Sequence, residues 1–129
     1  MAELLAQGFN VFQAVADTQG IDCGVLSPGG QFYPIHIMSR AEFSQGKWVS
    51  IWSFPPGDMF VIIYDERTKG FWIIPSRDYK EMSTHWTKKD GTVYFRLRYT
   101  RKNAAGLEGF KGQKGVDLLR CHVERASGP

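Results

Sequence analysis

The stretch from Asp17 to Arg40, DTQGIDCGVLSPGGQFYPIHIMSR, decides how the rest of the chain is read. It divides into an extended run, a tight turn and a second extended run. Ile21 to Leu26 is short and largely apolar, with an acid, Asp22, at its start. Ser27-Pro28-Gly29-Gly30 is turn chemistry, because proline presets one backbone angle and glycine supplies positive φ. Phe32 to Ser39 is the returning strand. Side chains alternate faces along a strand, so Ile35 and Ile37 point one way and His36 and Met38 the other. A twisted hairpin can bring Asp22 to the side of His36 and Met38, and Arg40 continues the same face two residues on.

This hairpin resembles the core of the PD-(D/E)XK superfamily, the restriction-endonuclease-like nucleases, whose pattern here is roughly "GxDhhh, turn, hQhKoR". Gly20-Ile21-Asp22 lies over its first part and Ile35-His36-Ile37-Met38-Ser39-Arg40 over its second. The lead-in from Leu4 to Val11, LLAQGFNV, is similar to that family's "LLxxGYxV". The resemblance implies an α/β fold: a mixed, mostly antiparallel sheet flanked by short helices, with a restriction-endonuclease-like core. It places Asp22 at the metal-binding acid and His36 at the second metal-ligand position, usually Glu, Asp or Gln. Met38 stands where the catalytic lysine would be.

Those departures bear on chemistry. Phosphodiester cleavage of this kind needs a divalent ion held by carboxylates and an activated water. The resemblance implies Mg²⁺ or Mn²⁺ as the cofactor, if there is one. Asp22 alone is a poor Mg²⁺ site, and the nitrogen of His36 suits Mn²⁺, Zn²⁺ or Ni²⁺ better. The Met38 thioether can neither orient water nor offset charge on a phosphate, although it fills the space of a lysine stem. Arg40 can supply charge but is too basic to act as a base. Two functional expectations follow. One is a catalytically impaired or divergent nuclease-like protein that binds nucleic acid, DNA ahead of RNA. The other is an active metal-dependent DNA endonuclease using Asp22 and His36, with Arg40 as charge stabiliser. The plainer alternative makes Asp22 a strand-end polar residue and His36 a hydrogen-bonded, partly buried histidine.

A chain of 129 residues with 43% hydrophobic content has enough apolar side chains for one folded domain, 1–129, and too many for a disordered tail. It has no run of about 18 apolar residues, so no membrane span is expected. Met1 to Leu5 lacks the basic start and apolar stretch of a signal peptide, which leads to a cytoplasmic expectation. Cys23 and Cys121 are too few for a disulfide framework and are expected as buried free thiols. With His36, His85 and His122 they do not make zinc spacing. Ser27 before Pro-Gly-Gly is not a nucleophile elbow, and Gly29-Gly30 alone is no phosphate loop.

The net charge of +3 hides an asymmetry. Residues 1–76 hold four Lys/Arg against seven Asp/Glu, and residues 77–129 hold twelve against six. The excess concentrates from Lys88 to Lys114, where Tyr94, Arg96, Arg98, Arg101 and Lys102 form the candidate nucleic-acid contacts. Cations beside an aromatic can grip a phosphate backbone and stack on a base. The alternative is an exposed strand charged against edge pairing.

Elsewhere, Ala2 to Gln7 reads as a short helix ended by Gly8, and Phe9 to Ala16 as the first strand. Helix one is marginal by itself, so a partner subunit is one way to complete its packing. Ala41 to Gly46 is a polar connection. Lys47 to Phe54 alternates, with Trp48, Ser50, Trp52 and Phe54 on one side. That aromatic stripe is either core or the surface of a homodimer, which gives a third reading, a protein-interaction module that only keeps the fold. Met59 to Tyr64 and Phe71 to Ile74 form a hairpin covered on both faces. Ser76 is expected to cap a helix through Met82, and Thr84 to Gly91 to be loop. Thr92 to Thr100 alternates, with Val93, Phe95, Leu97 and Tyr99 inward. Arg101 to Gly115, with four glycines, is expected to be mobile, ahead of a final helix from Gly115 to Arg125.

Overall fold

The computed structural model describes residues 2–6, 8–13, 23–52 and 59–125. Asp22, the residues before it from position 14, and 53–58 with Phe54 lie outside them. The described chain is α/β, with a mixed, mostly antiparallel sheet flanked by short helices. A second, smaller sheet packs against it.

The larger sheet runs β1 (Asn10–Gln13), β2 (Cys23–Leu26), β3 (Phe32–Arg40), β5 (Phe60–Asp65) and β6 (Phe71–Pro75). Its β1–β2–β3 meander is antiparallel, β3 pairs β5 in parallel, and β5–β6 is a hairpin. A parallel neighbour cannot be reached by a tight turn. The chain between Arg40 and Phe60 therefore leaves the sheet through a 3₁₀ turn (Phe43–Gln45) and β4 (Trp48–Trp52). β4 belongs to the smaller sheet, ordered β4, β8 (Val93–Arg98) and β7 (Thr84–Thr87).

Alternation along each strand builds two cores. Val25, Ile35, Phe60 and Ile73 face one side and are covered by Leu4 of α1 (Ala2–Ala6) and by Val116, Leu119 and Val123 of α4 (Gln113–Arg125). Val61, Ile63, Trp72 and Ile74 face the other side. There they meet Val49, Ile51 and Leu97 of the smaller sheet, Tyr79 of α2 (Ser76–Met82) and Leu107 of α3 (Arg101–Glu108). Phe43, Trp72 and Tyr99 pack edge to face at 5.1–6.0 Å in this second core, the geometry that ring quadrupoles favour. The Tyr79 hydroxyl donates to the Phe95 carbonyl at 2.9 Å and ties α2 to the smaller sheet; burial pushes its pKa far up.

Four expectations change. Thr84 to Thr87 is a strand: Lys88 N–H donates to the Thr92 carbonyl, and Gly91, at φ +88°, closes a hairpin into β8. Arg101 to Gly115 is mostly helical, started by Thr100, whose hydroxyl accepts from Asn103 N–H. Gly115 is there because α4 lies tight on β6: a Cβ would run into the Phe110 carbonyl oxygen and stand 3.0 Å from Ile73 Cβ. Ser76 is the first residue of α2 instead of its cap, and its hydroxyl accepts from Met59 N–H. Cys23 is buried as expected, but Cys121 is exposed on α4.

Candidate nucleic-acid interface

The smaller sheet turns Val49, Ile51, Phe95 and Leu97 inward, so period-two alternation turns Trp48, Ser50, Tyr94, Arg96, Arg98 and Trp86 outward. Register then sets neighbours. Trp48 lies beside Arg98, Ser50 beside Arg96, and Trp86 beside Tyr94. β8 is the central strand of this sheet, so Arg96 and Arg98 do not guard an edge.

The outward side chains form an unbroken run of cations and rings. Lys88 Nζ lies 4.5 Å from the centroid of Tyr94, and Tyr94 stacks on Trp86 at 5.1 Å and 14°. The Arg96 guanidinium lies 4.7 Å from Trp86 and 4.1 Å from Trp48. Arg40, at the end of β3, closes the run 5.4 Å from Trp48. The two sheets thus meet in this ladder.

The electrostatics of Arg96 are unusual. Its two indole neighbours leave the residue half-buried, and its Nε is buried without a hydrogen-bond partner among the described residues. Ser50 Oγ, directly across on β4, is buried and unpartnered in the same sense. Among the described residues no carboxylate lies within 4.0 Å of Arg96, Arg40 or Lys88. Leaving the buried Nε–H unpaired is costly, and stacking the guanidinium on two indoles offsets part of that cost. No carboxylate of the described residues offsets this positive charge at contact distance, which suits the face to an anionic ligand.

Tyr94 and Arg96 of the expected contacts join the ladder. Arg98 flanks it, exposed, with its carbonyl accepting from the Asn103 side chain at 2.9 Å. Arg101 and Lys102 stand exposed in the first turn of α3 and make no ring contact with the ladder. Their charges add to the positive end of that helix instead of opposing it, so helix stability does not explain them. Lys88, one of the cations expected nearby in sequence, also joins the ladder, whereas Trp48 and Trp86 are not among the expected contacts. The signal for Trp86 was legible: Asp90-Gly91 before an alternating run marks a hairpin, and a hairpin needs a strand at Thr84.

On β3, His36, Met38 and Arg40 lie on the face toward the second core, in register with Val61, Ile63 and Asp65 of β5. Met38 packs on that core, His36 is half-buried, and Arg40 is exposed. Asp22 lies outside the described residues, so the expected Asp22–His36 pairing does too. Among the described residues no three of His, Cys, Asp and Glu gather as metal ligands.

Asp65 is the buried carboxylate nearest this line, and it is committed elsewhere. It accepts from Ser44 Oγ at 2.6 Å, Ser44 N–H at 3.1 Å, Arg67 N–H at 3.0 Å and Thr68 N–H at 3.3 Å. Burial pushes its pKa up, but these bonds outweigh it and hold the group below its ordinary value. Its work is to lock the β5–β6 turn to the 3₁₀ turn. The chain matches no family model, no curated protein and no solved structure.

Proposed function

We propose that this protein binds nucleic acid through the outer face of its smaller sheet, as a divergent, catalytically impaired relative of the restriction-endonuclease-like nucleases. The observation that carries the reading is Arg96, a half-buried cation held between two indoles, with its Nε buried and unpartnered and no carboxylate of the described residues within 4.0 Å. A phosphate backbone supplies repeated negative charge at the spacing such a ladder can follow, and ring edges and faces beside it suit bases. Arg40 links this surface to β3, where the resemblance puts the reaction. Met38 at the lysine position packs on the second core, which suits a strand kept for shape and binding.

The test is a gel-shift series with duplex and single-stranded DNA and RNA across salt. Binding is expected at ~50 mM salt and should weaken steeply by ~200 mM, because counterions released from phosphates drive it. No shift with any of these at ~50 mM would remove the reading. Incubating plasmid with Mg²⁺, Mn²⁺, Ni²⁺ or Zn²⁺ reads out activity separately, and intact plasmid is the expected result.

A further inference from the structure

The ladder ends in a hollow. Arg40, Ala41, Glu42, Lys47 and Trp48 line a cleft of about 330 Å³ where β3 hands over to β4. We propose that this cleft receives one unpaired nucleotide, its base on the Trp48 indole and its phosphate between Arg40 and Lys47. The proposal rests on the nucleic-acid reading above and names the form of ligand that reading would prefer.

Size, charge and freedom of movement support it. The volume falls at the small end of ligand sites, a size that suits one nucleotide. Glu42 is the one acid in the lining, and it is already paired with Arg67 at 3.1 Å. Arg40 and Lys47 are exposed and have no carboxylate within 4.0 Å among the described residues. Among the described lining residues, then, the cleft holds two cations free of carboxylate contact and one acid engaged by Arg67.

Two cations share the Trp48 ring unequally. Arg96 is close, at 4.1 Å, and is held by a second indole; Arg40 is further, at 5.4 Å, and exposed. Arg40 is the one that can give up its place to a base and turn its charge to the phosphate. The walls stay fixed while it does so. The Arg40 carbonyl accepts from Glu66 N–H at 3.0 Å, and the Lys47 carbonyl accepts from Tyr99 N–H at 3.4 Å. A strand following the ladder would deliver its next nucleotide here. A blunt duplex, whose bases stay paired and stacked, has none to deliver.

The experiment compares dissociation constants at low salt for three labelled DNAs: a blunt duplex and the same duplex with a short 5′ or 3′ overhang. Wild type should bind at least one overhang form roughly five- to 150-fold tighter than the blunt form, the range of one base stacked on one aromatic. Trp48→Ala should bring that ratio to about one, Lys47→Ala should lower it, and Trp48→Phe should keep most of it. If Trp48→Ala does not fold, Lys47→Ala on the exposed rim reads the same loss. Equal affinity of wild type for all three DNAs overturns the cleft and leaves the ladder standing. No binding to any of them overturns the ladder, and the cleft falls with it. An overhang preference that survives both Trp48→Ala and Lys47→Ala places the unpaired nucleotide elsewhere and also overturns the proposal.

Discussion

Replacing Arg96 by alanine separates the two things its guanidinium does. In the free protein it touches two indoles, at 4.1 and 4.7 Å, contacts worth about 1 kcal/mol each at a half-buried site. The same truncation removes a buried Nε that has no partner among the described residues, which returns about 1 kcal/mol. Stability should therefore fall by only about 1 kcal/mol, a drop in Tm of about 4 °C for a chain of this size. Binding should suffer more. A charge-assisted contact to a phosphate contributes about 2 kcal/mol, so affinity at low salt should drop roughly 30-fold. The slope of log affinity against log salt should become shallower by about 0.9 on duplex or about 0.7 on a single strand. Arg96→Lys should keep the slope but lose affinity, because an ammonium carries the charge without the flat stacking surface. The measurement is fluorescence anisotropy across salt, with thermal melts confirming that each variant is folded. A folded Arg96→Ala protein with the wild-type slope would mean that Arg96 meets no phosphate, and the ladder would then be only a clamp on the surface of the smaller sheet.

Other perturbations test the scaffold. Asp65 has a folded pKa below its unfolded value, so its contribution is complete above about pH 4 and is lost as pH falls through the lower folded value. Asp65→Asn should lower Tm by a constant amount from neutral pH down to about pH 4, and the gap to wild type should close below that. A gap that widens on acidification would contradict the assignment. Gly115→Ala should destabilise by about 1–3 kcal/mol because its methyl meets Phe110 O and Ile73. Gly106→Ala, whose methyl finds Met82 Sδ at an ordinary 3.5 Å, should stabilise α3 by about 0.5–1 kcal/mol; denaturant melts that rank the two alike would count against the close approach of α4 to β6. Met38→Lys should cost about 1–3 kcal/mol by burying an ammonium stem against the second core, and an unchanged melt would show that position 38 opens to water.

Much of the architecture was legible because it depends on local chemistry. The Ser27–Gly30 turn, the apolar runs on either side of Asp65–Gly70 and the alternation from Val93 to Leu97 each state their geometry within a few residues. Leu119 and Val123 at helical spacing did the same for α4. Two local readings misled. Four glycines in fifteen residues suggest mobility, but Thr100 caps a helix there, Leu107 anchors it in the second core, and Gly115 permits a close contact. Thr84 to Thr87 is mostly exposed and lacks an apolar pattern, so only its pairing with β8 makes it a strand.

The candidate site divides in the same way. The sequence by itself determined the basic second half and the outward direction of Tyr94, Arg96 and Arg98, because charge and period-two alternation are properties of a single segment. The tertiary structure alone decided which rings those cations meet. Trp48 and Trp86 come from β4 and β7 and reach Arg96 only because β8 pairs between those strands, and Arg40 reaches Trp48 because the crossover from β3 carries the chain onto the smaller sheet. Contacts between strands far apart in the chain are set by long-range pairing and burial, and no window of residues encodes them on its own.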